Sequence, residues 1–372
     1  GYMTLVLGLS ELAPALALLE KFTSDRDIVP GLQHIWFTGS ELRASTGVSG
    51  VIVGVSWSVP EPFALPAGRL TALVSSLHAQ GHARVALEPR EASFKFASEK
   101  FQASLPRYRP AEGEDLGPYV LRRPPAKNGR TALTPAWWAD LSRALPCMSA
   151  DETKAPLRGV RWAKTGALYA TDTYRLTAVL PEKSARALPP GAGVLLPDHL
   201  LSRVGARRVG VTEACVEGDA ALWLFAPDGA FYGTLIAGDF PEEGCATFVR
   251  QARRASAEGG TWVELPAAPV ALASVLERLL HFAEAPTYRL GGEARAGALR
   301  LFVGNEAGSA EEVLPATVRG PDVSFEVNGE YLREALLTVA PKFWIPGSAG
   351  GNAAYFASAD GRVDHLVMLL RA

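Results

Sequence analysis

The sequence has 372 residues, too many for one ordinary domain, and its 48% hydrophobic and 20% charged residues are the balance of a packed globular protein, not of a disordered chain. A formal net charge of −2 excludes a polycation that coats nucleic acid by bulk attraction, so any such contact has to come from local placement of basic side chains. The cysteines Cys147, Cys215 and Cys245 lack the spacing of a zinc site or a disulfide framework, and no apolar run approaches the ~20 residues of a membrane span. Gly1-Tyr2-Met3 carries no basic leader-like region, which makes a cytoplasmic protein with no membrane partner the expectation.

Along the chain one unit recurs: a short apolar strand, a helix-start residue, then a helix with apolar residues three or four apart. Thr4–Leu7 leads through Ser10 to Leu12, Leu16 and Leu19, and Phe63–Leu65 leads through Pro66 to Leu70, Leu73 and Leu77. Thr131–Leu133 is followed by Thr134-Pro135, Trp138 and Leu141, and Val194–Leu196 by Pro197-Asp198, Leu200 and Val204. The last two copies run from Trp262–Leu265 through Pro266 to Leu272, Leu276 and Leu279, and from Val323–Phe325 through Asn328 to Leu332 and Leu336. Ser10, Thr134 and Asn328 are suited to cap these helices, and the prolines to their first turns. Between the helices, alternating segments such as Ser93–Phe96, Ala220–Phe225 and Ala298–Val303 read as antiparallel strands.

The copies are spaced by roughly sixty to seventy residues and, grouped in pairs, predict an α+β chain of three tandem domains. The expected boundaries are 1–123, 129–249 and 257–372, because Arg122–Gly129 and the charged, Ala/Gly-rich stretch Arg250–Gly260 have the composition of linkers.

Several segments carry a resemblance. Ala170-Thr171-Asp172-Thr173-Tyr174-Arg175-Leu176 is similar to an A-T-D-G-H-R-L segment, and Gly238-Asp239-Phe240-Pro241 to a D-G-x-F-P segment. Phe325–Leu336 resembles an F-N-x-x-Y-L-x-x-A-L helix, His365–Ala372 an apolar last strand ending M-P-x-R-L, and Lys100–Pro106 the strand that precedes the first linker. In that order they resemble the β sliding clamp of bacterial DNA polymerase III. The chain departs from the pattern at Thr173-Tyr174 (Gly-His in the family), at Leu369 (proline) and at Ala372 (leucine), and Ala155-Pro156 stands where paired tyrosines are usual.

The resemblance implies a non-enzymatic, head-to-tail homodimeric ring that encircles duplex DNA without reading sequence and needs no cofactor. Its partners would be the polymerase III catalytic subunit, the clamp loader, repair polymerases and mismatch-repair proteins, held through short hydrophobic peptides. The implied peptide groove has a floor of Leu157, Leu176, Pro241, Leu366, Met368 and Leu370 and a rim of Thr171, Thr173, Tyr174, Arg175 and Arg371. Phe101 and Ala103 would meet Leu279 and Leu280 at the joint between chains. Arg26, Arg69, Arg203, Arg207, Arg208, Arg333 and Lys342 would face DNA, with Lys127 and Arg130 near a linker.

The residues themselves agree with an absence of catalysis. The six histidines are isolated, and no Walker A lysine follows a glycine loop. Asp172 beside Arg175 reads as a turn anchor, not as an acid–base pair. The rival reading is a clamp-fold interaction protein, or a second clamp copy, that binds partners without stably encircling DNA. An enzyme on the same scaffold would need a convergent polar cluster that the sequence does not offer.

Overall fold

The computed structural model describes residues 4–26, 28–117, 120, 122–182, 193–204, 210–266, 268–306, 308–347 and 351–370. All six strand-to-helix units form. Their helices are α1 (Leu9–Glu20), α2 (Ala67–Ala79), α3 (Pro135–Ala144), α4 (Asp198–Val204), α6 (Pro269–Leu280) and α7 (Gly329–Thr338). Asn328 caps α7, its Oδ1 accepting from the N–H groups of Glu330 and Tyr331 at 3.0 and 3.2 Å. Ser10 does not cap α1, which begins at Leu9 with Gly8 before it, so the hydroxyl sits inside the first turn.

A further helix, α5 (Glu242–Glu258), occupies the stretch whose composition suggests a linker. Cys245, Phe248, Val249, Ala252 and Ala255 share one face at helical spacing, and burial of Cys245 and Val249 against the sheet outweighs the charged, alanine-rich composition. Fully burying an apolar side chain of this kind contributes about 1.5–3 kcal/mol. At the end of α5 the chain reverses at Gly260, φ +77°, where a Cβ would stand 2.3 Å from Trp344 Nε1.

Contacts group the chain into two compact units: residues 1–134 with 197–235, and 135–196 with 236–372. The division differs from the three spans expected from linker composition because strands from successive repeats join continuous sheets. In the first unit the strand Ser49–Gly54 pairs with Gly229–Thr234 in an eight-stranded sheet, beside a four-stranded sheet whose edge is Phe101–Pro106.

In the second unit Arg175–Val179 pairs with Val363–Met368 in the middle of a nine-stranded sheet. Helices α6 and α7 pack with the four-stranded sheet of that unit around Leu272, Leu276, Leu290, Leu301, Phe325 and Leu336. The pairings are antiparallel, and on central strands such as Arg175–Val179, Val363–Met368 and Ala221–Ala226 nearly every side chain is buried, so both faces of these sheets are covered.

Candidate functional site

The turn Thr171–Arg175 joins two strands of the second unit and is held almost entirely by its own side chains. Asp172 Oδ1 accepts from the N–H groups of Tyr174 and Arg175, both at 2.9 Å. Thr171 Oγ1 accepts from Thr173 N at 3.1 Å and donates to the Arg175 carbonyl at 2.7 Å. Asp172 is thus a turn anchor, as its position in the sequence suggests. The geometry drives Thr173 to φ +80°, a left-handed conformation that a β-branched residue adopts only under constraint. It also turns the Tyr174 ring outward, 59% exposed.

Register places the groove. Leu176 lies opposite Leu366, and Met368 donates its N–H to the Tyr174 carbonyl at 2.8 Å, so Leu366 and Met368 point to the same side as Leu176. With α5 alongside, these residues wall a cleft of about 340 Å³ lined by Leu157, Thr171, Thr173, Tyr174, Arg175, Leu176, Pro241, Gly244, Cys245, Phe248, Ala353, Leu366 and Met368. Its mouth carries three large exposed apolar side chains, Tyr174, Phe248 (62%) and Met368 (42%).

Nine of the eleven residues expected for the groove meet here. Leu370 does not, because the strand ends at Met368 and the Leu370 N–H turns to the Glu326 carbonyl. Arg371 lies outside the described residues. Gly244, Cys245, Phe248 and Ala353 were not anticipated. The spacing Cys245, Phe248, Val249, Ala252 was the signal that could have found the α5 wall.

Behind the cleft, burial holds the groups neutral. The Cys245 thiol is pushed up to about 11, and Cys147 up to about 12. His365, fully enclosed and next to the Arg175 charge, is lowered to about 3; its Nδ1 lies 2.6 Å from Thr177 Oγ1 and 3.8 Å from Cys147 Sγ. At neutral pH both thiols therefore keep their protons, and His365 is an uncharged imidazole closed off from solvent. Among the described residues no His, Cys, Asp and Glu side chains gather as a metal site, and no helix is long and apolar enough to cross a membrane.

The equivalent place in the first unit is closed. There Gly50 lies opposite Tyr232 and Thr234 N bonds the Val48 carbonyl, repeating the register of Leu176, Leu366, Met368 and Tyr174. The Tyr232 ring fills the space above Gly50, where a Cβ would be 2.2 Å from it.

At the expected joint, Phe101 is 37% exposed at the start of an edge strand and Ala103 is half-buried. Leu279 and Leu280 are instead buried inside their own unit, at 2% and 9%: Leu279 joins the core under α6, and Leu280 lies against Gly329 at the start of α7. The exposed apolar side chains nearby are Phe282, just past α6, and Val313 on the edge strand Gly308–Pro315.

Of the basic candidates, Arg26 and Arg69 are exposed. Arg203 donates to the Lys21 carbonyl at 3.0 Å and to His199 O at 2.9 Å, and Arg333 pairs with Glu330 at 3.4 Å. Lys342 stands on a strand, 4.9 Å from the Trp262 ring centroid, and Arg130 is stacked on Phe225 at 3.4 Å. Arg207 and Arg208 lie outside the described residues.

Comparison with known proteins gives the fold a name. No family profile and no curated protein sequence matches the chain. Solved structures match it end to end, each covering 100% of both chains. They include the DnaN sliding clamp of Bartonella birtlesii bound to griselimycin (18% identity, TM-score 0.83) and the beta sliding clamp of C. crescentus bound to polyethylene glycol (19%, 0.82). A third is the DNA polymerase beta subunit of Streptococcus pyogenes (18%, 0.81). The fold is therefore that of the DNA sliding clamps. Within that class it is the form found in the beta subunits of DNA polymerase III, as the sequence resemblance implies.

Proposed function

We infer that the chain is a divergent DNA sliding clamp, a non-enzymatic processivity factor made of three tandem repeat domains. Two copies would close head to tail around duplex DNA and tether the polymerase, the clamp loader and repair proteins. The observation that carries the reading is the cleft. Nine residues picked out by resemblance to a peptide groove, scattered from Leu157 to Met368, converge on one apolar opening in a chain that matches clamps along its whole length. The C. crescentus clamp carries polyethylene glycol at a beta-motif tethering region, which supports a tethering groove on this fold. Apolar walls with a thioether at the mouth suit short hydrophobic segments that exchange readily.

Ring closure is supported by two strand edges that have no strand partner among the described residues, Phe101–Pro106 and Gly308–Pro315, with Phe101 on one and Phe282 and Val313 at the other. The weak basic signal on the helices fits sliding, which tight phosphate contacts would oppose. The test is loading onto nicked circular DNA by the clamp loader of the same organism. Retention on circles and loss after linearisation is expected. Binding of partner peptides without retention would instead favour an interaction protein that keeps the fold and does not encircle DNA.

A further inference from the structure

Arg175 lines the groove, yet its charge is directed away from it. Nε donates to Asp172 Oδ2 at 2.9 Å, Nη1 reaches Glu334 Oε2 at 2.6 Å, and the Tyr331 ring centroid lies 4.2 Å from the guanidinium carbon. The Arg175 side chain is 12% exposed. Glu334 and Tyr331 project from α7 and do not line the cleft. Two carboxylates surround one guanidinium, leaving an excess negative charge behind the groove wall. Lys154, beside the lining residue Thr173, has its own counter-charge in Asp151 at 3.8 Å, and its Nζ lies 3.4 Å from Thr173 Oγ1.

In an apolar, partly dehydrated cleft an uncommitted guanidinium would draw a ligand carboxylate strongly. With Glu334 bound to Arg175, a carboxylate arriving there would lose water and meet like charge instead.

We propose that Glu334 is a specificity-determining residue of the groove. By occupying Arg175 from behind, it makes the site select peptides with an uncharged polar group, over a carboxylate, beside their apolar anchors. The inference rests on the cleft being a peptide groove. Glu334 acts through Arg175 and touches no ligand, so it is a positioning residue.

The test uses two fluorescein-labelled, N-acetylated peptides with the same leucine and phenylalanine anchors, one carrying glutamine and the other glutamate beside them. Both are titrated by anisotropy against the wild-type protein, Glu334→Gln and Glu334→Ala. The wild type is expected to favour the glutamine peptide by about tenfold, and both variants to narrow that ratio to about twofold or reverse it. High salt should narrow the wild-type ratio as well, which keeps the idea testable if a variant folds poorly. A ratio unchanged in folded variants, or a wild-type ratio indifferent to salt, overturns the role of Glu334. If neither peptide binds the wild type, the groove reading itself falls, and this inference with it.

Discussion

Arg253 on α5 reaches across to the carboxylate of Asp364, which is buried in the neighbouring strand and accepts a second hydrogen bond from the Tyr355 hydroxyl at 2.6 Å. Burial and the adjacent carboxylate push the Tyr355 hydroxyl up to about 12, so it stays a donor. The contact pins the groove-forming helix to the sheet. Replacing Arg253 with alanine leaves a buried carboxylate with one neutral partner. Because Arg253 is itself half-exposed, the expected loss is only about 1–2 kcal/mol, read from urea unfolding. Groove affinity should fall with it; unchanged stability and affinity would mean that α5 is held by its apolar face alone.

Thr173 stands where glycine would be relaxed. Thr173→Gly should remove the left-handed strain, offset partly by the larger freedom of glycine in the unfolded chain, for a net gain of about 0.5–1 kcal/mol. A thermal melt checks the sign. A lower melting temperature would indicate that the threonine methyl packs well enough to outweigh the strain.

Groove truncations separate binding from folding when the residue chosen is exposed. Met368→Ala and Phe248→Ala should each weaken a hydrophobic peptide by about 1–3 kcal/mol while the unfolding midpoint barely moves. Leu176→Ala should weaken binding too, but Leu176 is 7% exposed within a core cluster, so it should also cost about 2–5 kcal/mol of stability. Isothermal titration against calorimetric melts distinguishes the two classes.

His365 makes stability depend on acid. Its folded-state pKa lies near 3 against about 6.5 when unfolded, so the unfolded chain binds the extra proton between those values. The stabilising contribution is complete above pH ~6.5 and is lost as pH falls toward 3, by about 5 kcal/mol at most. His365→Gln should be less stable at neutral pH and should flatten the difference between pH 6.5 and 4 in urea titrations. Parallel curves for wild type and variant would remove His365 as the source.

At the proposed joint, charges placed at Leu279 and Leu280 are expected to unfold the second unit, since both side chains are buried within it and Leu279 is part of its core. Phe282→Asp combined with Val313→Asp alters exposed positions and should give a folded monomer in sedimentation. A dimer that survives this pair would move the joint elsewhere.

Much of the fold was legible because helix period and strand alternation are local signals. Asn328 followed by Leu332 and Leu336 marks the start of α7 and its buried stripe. The helix α5 was hidden because Arg250, Arg253 and Arg254 among alanines look like a linker, and much of the sheet that rewards its apolar face, including Leu176, Ala178, Tyr355 and Leu366, is distant in sequence. The groove was legible as a set of residues but not as a shape. Nothing local could reveal that the Arg175 charge is taken up by Glu334, 159 residues on. Leu279 and Leu280 misled for a related reason: an apolar pair at a helix end looks the same whether it faces a partner or its own core.

The ring of Tyr232 over Gly50 has a consequence for traffic on the molecule. A chain built by duplication would, left symmetric, present the same opening at both of its strand junctions, and two clients could sit on one copy at once. If the cleft of the second unit holds partners as proposed, the tyrosine that fills the matching position in the first unit would leave one such opening per copy among the described residues, and clients would have to take turns. Order of access would then be set by residence time and local abundance, and one aromatic side chain placed against one glycine would turn a repeated scaffold into a queue.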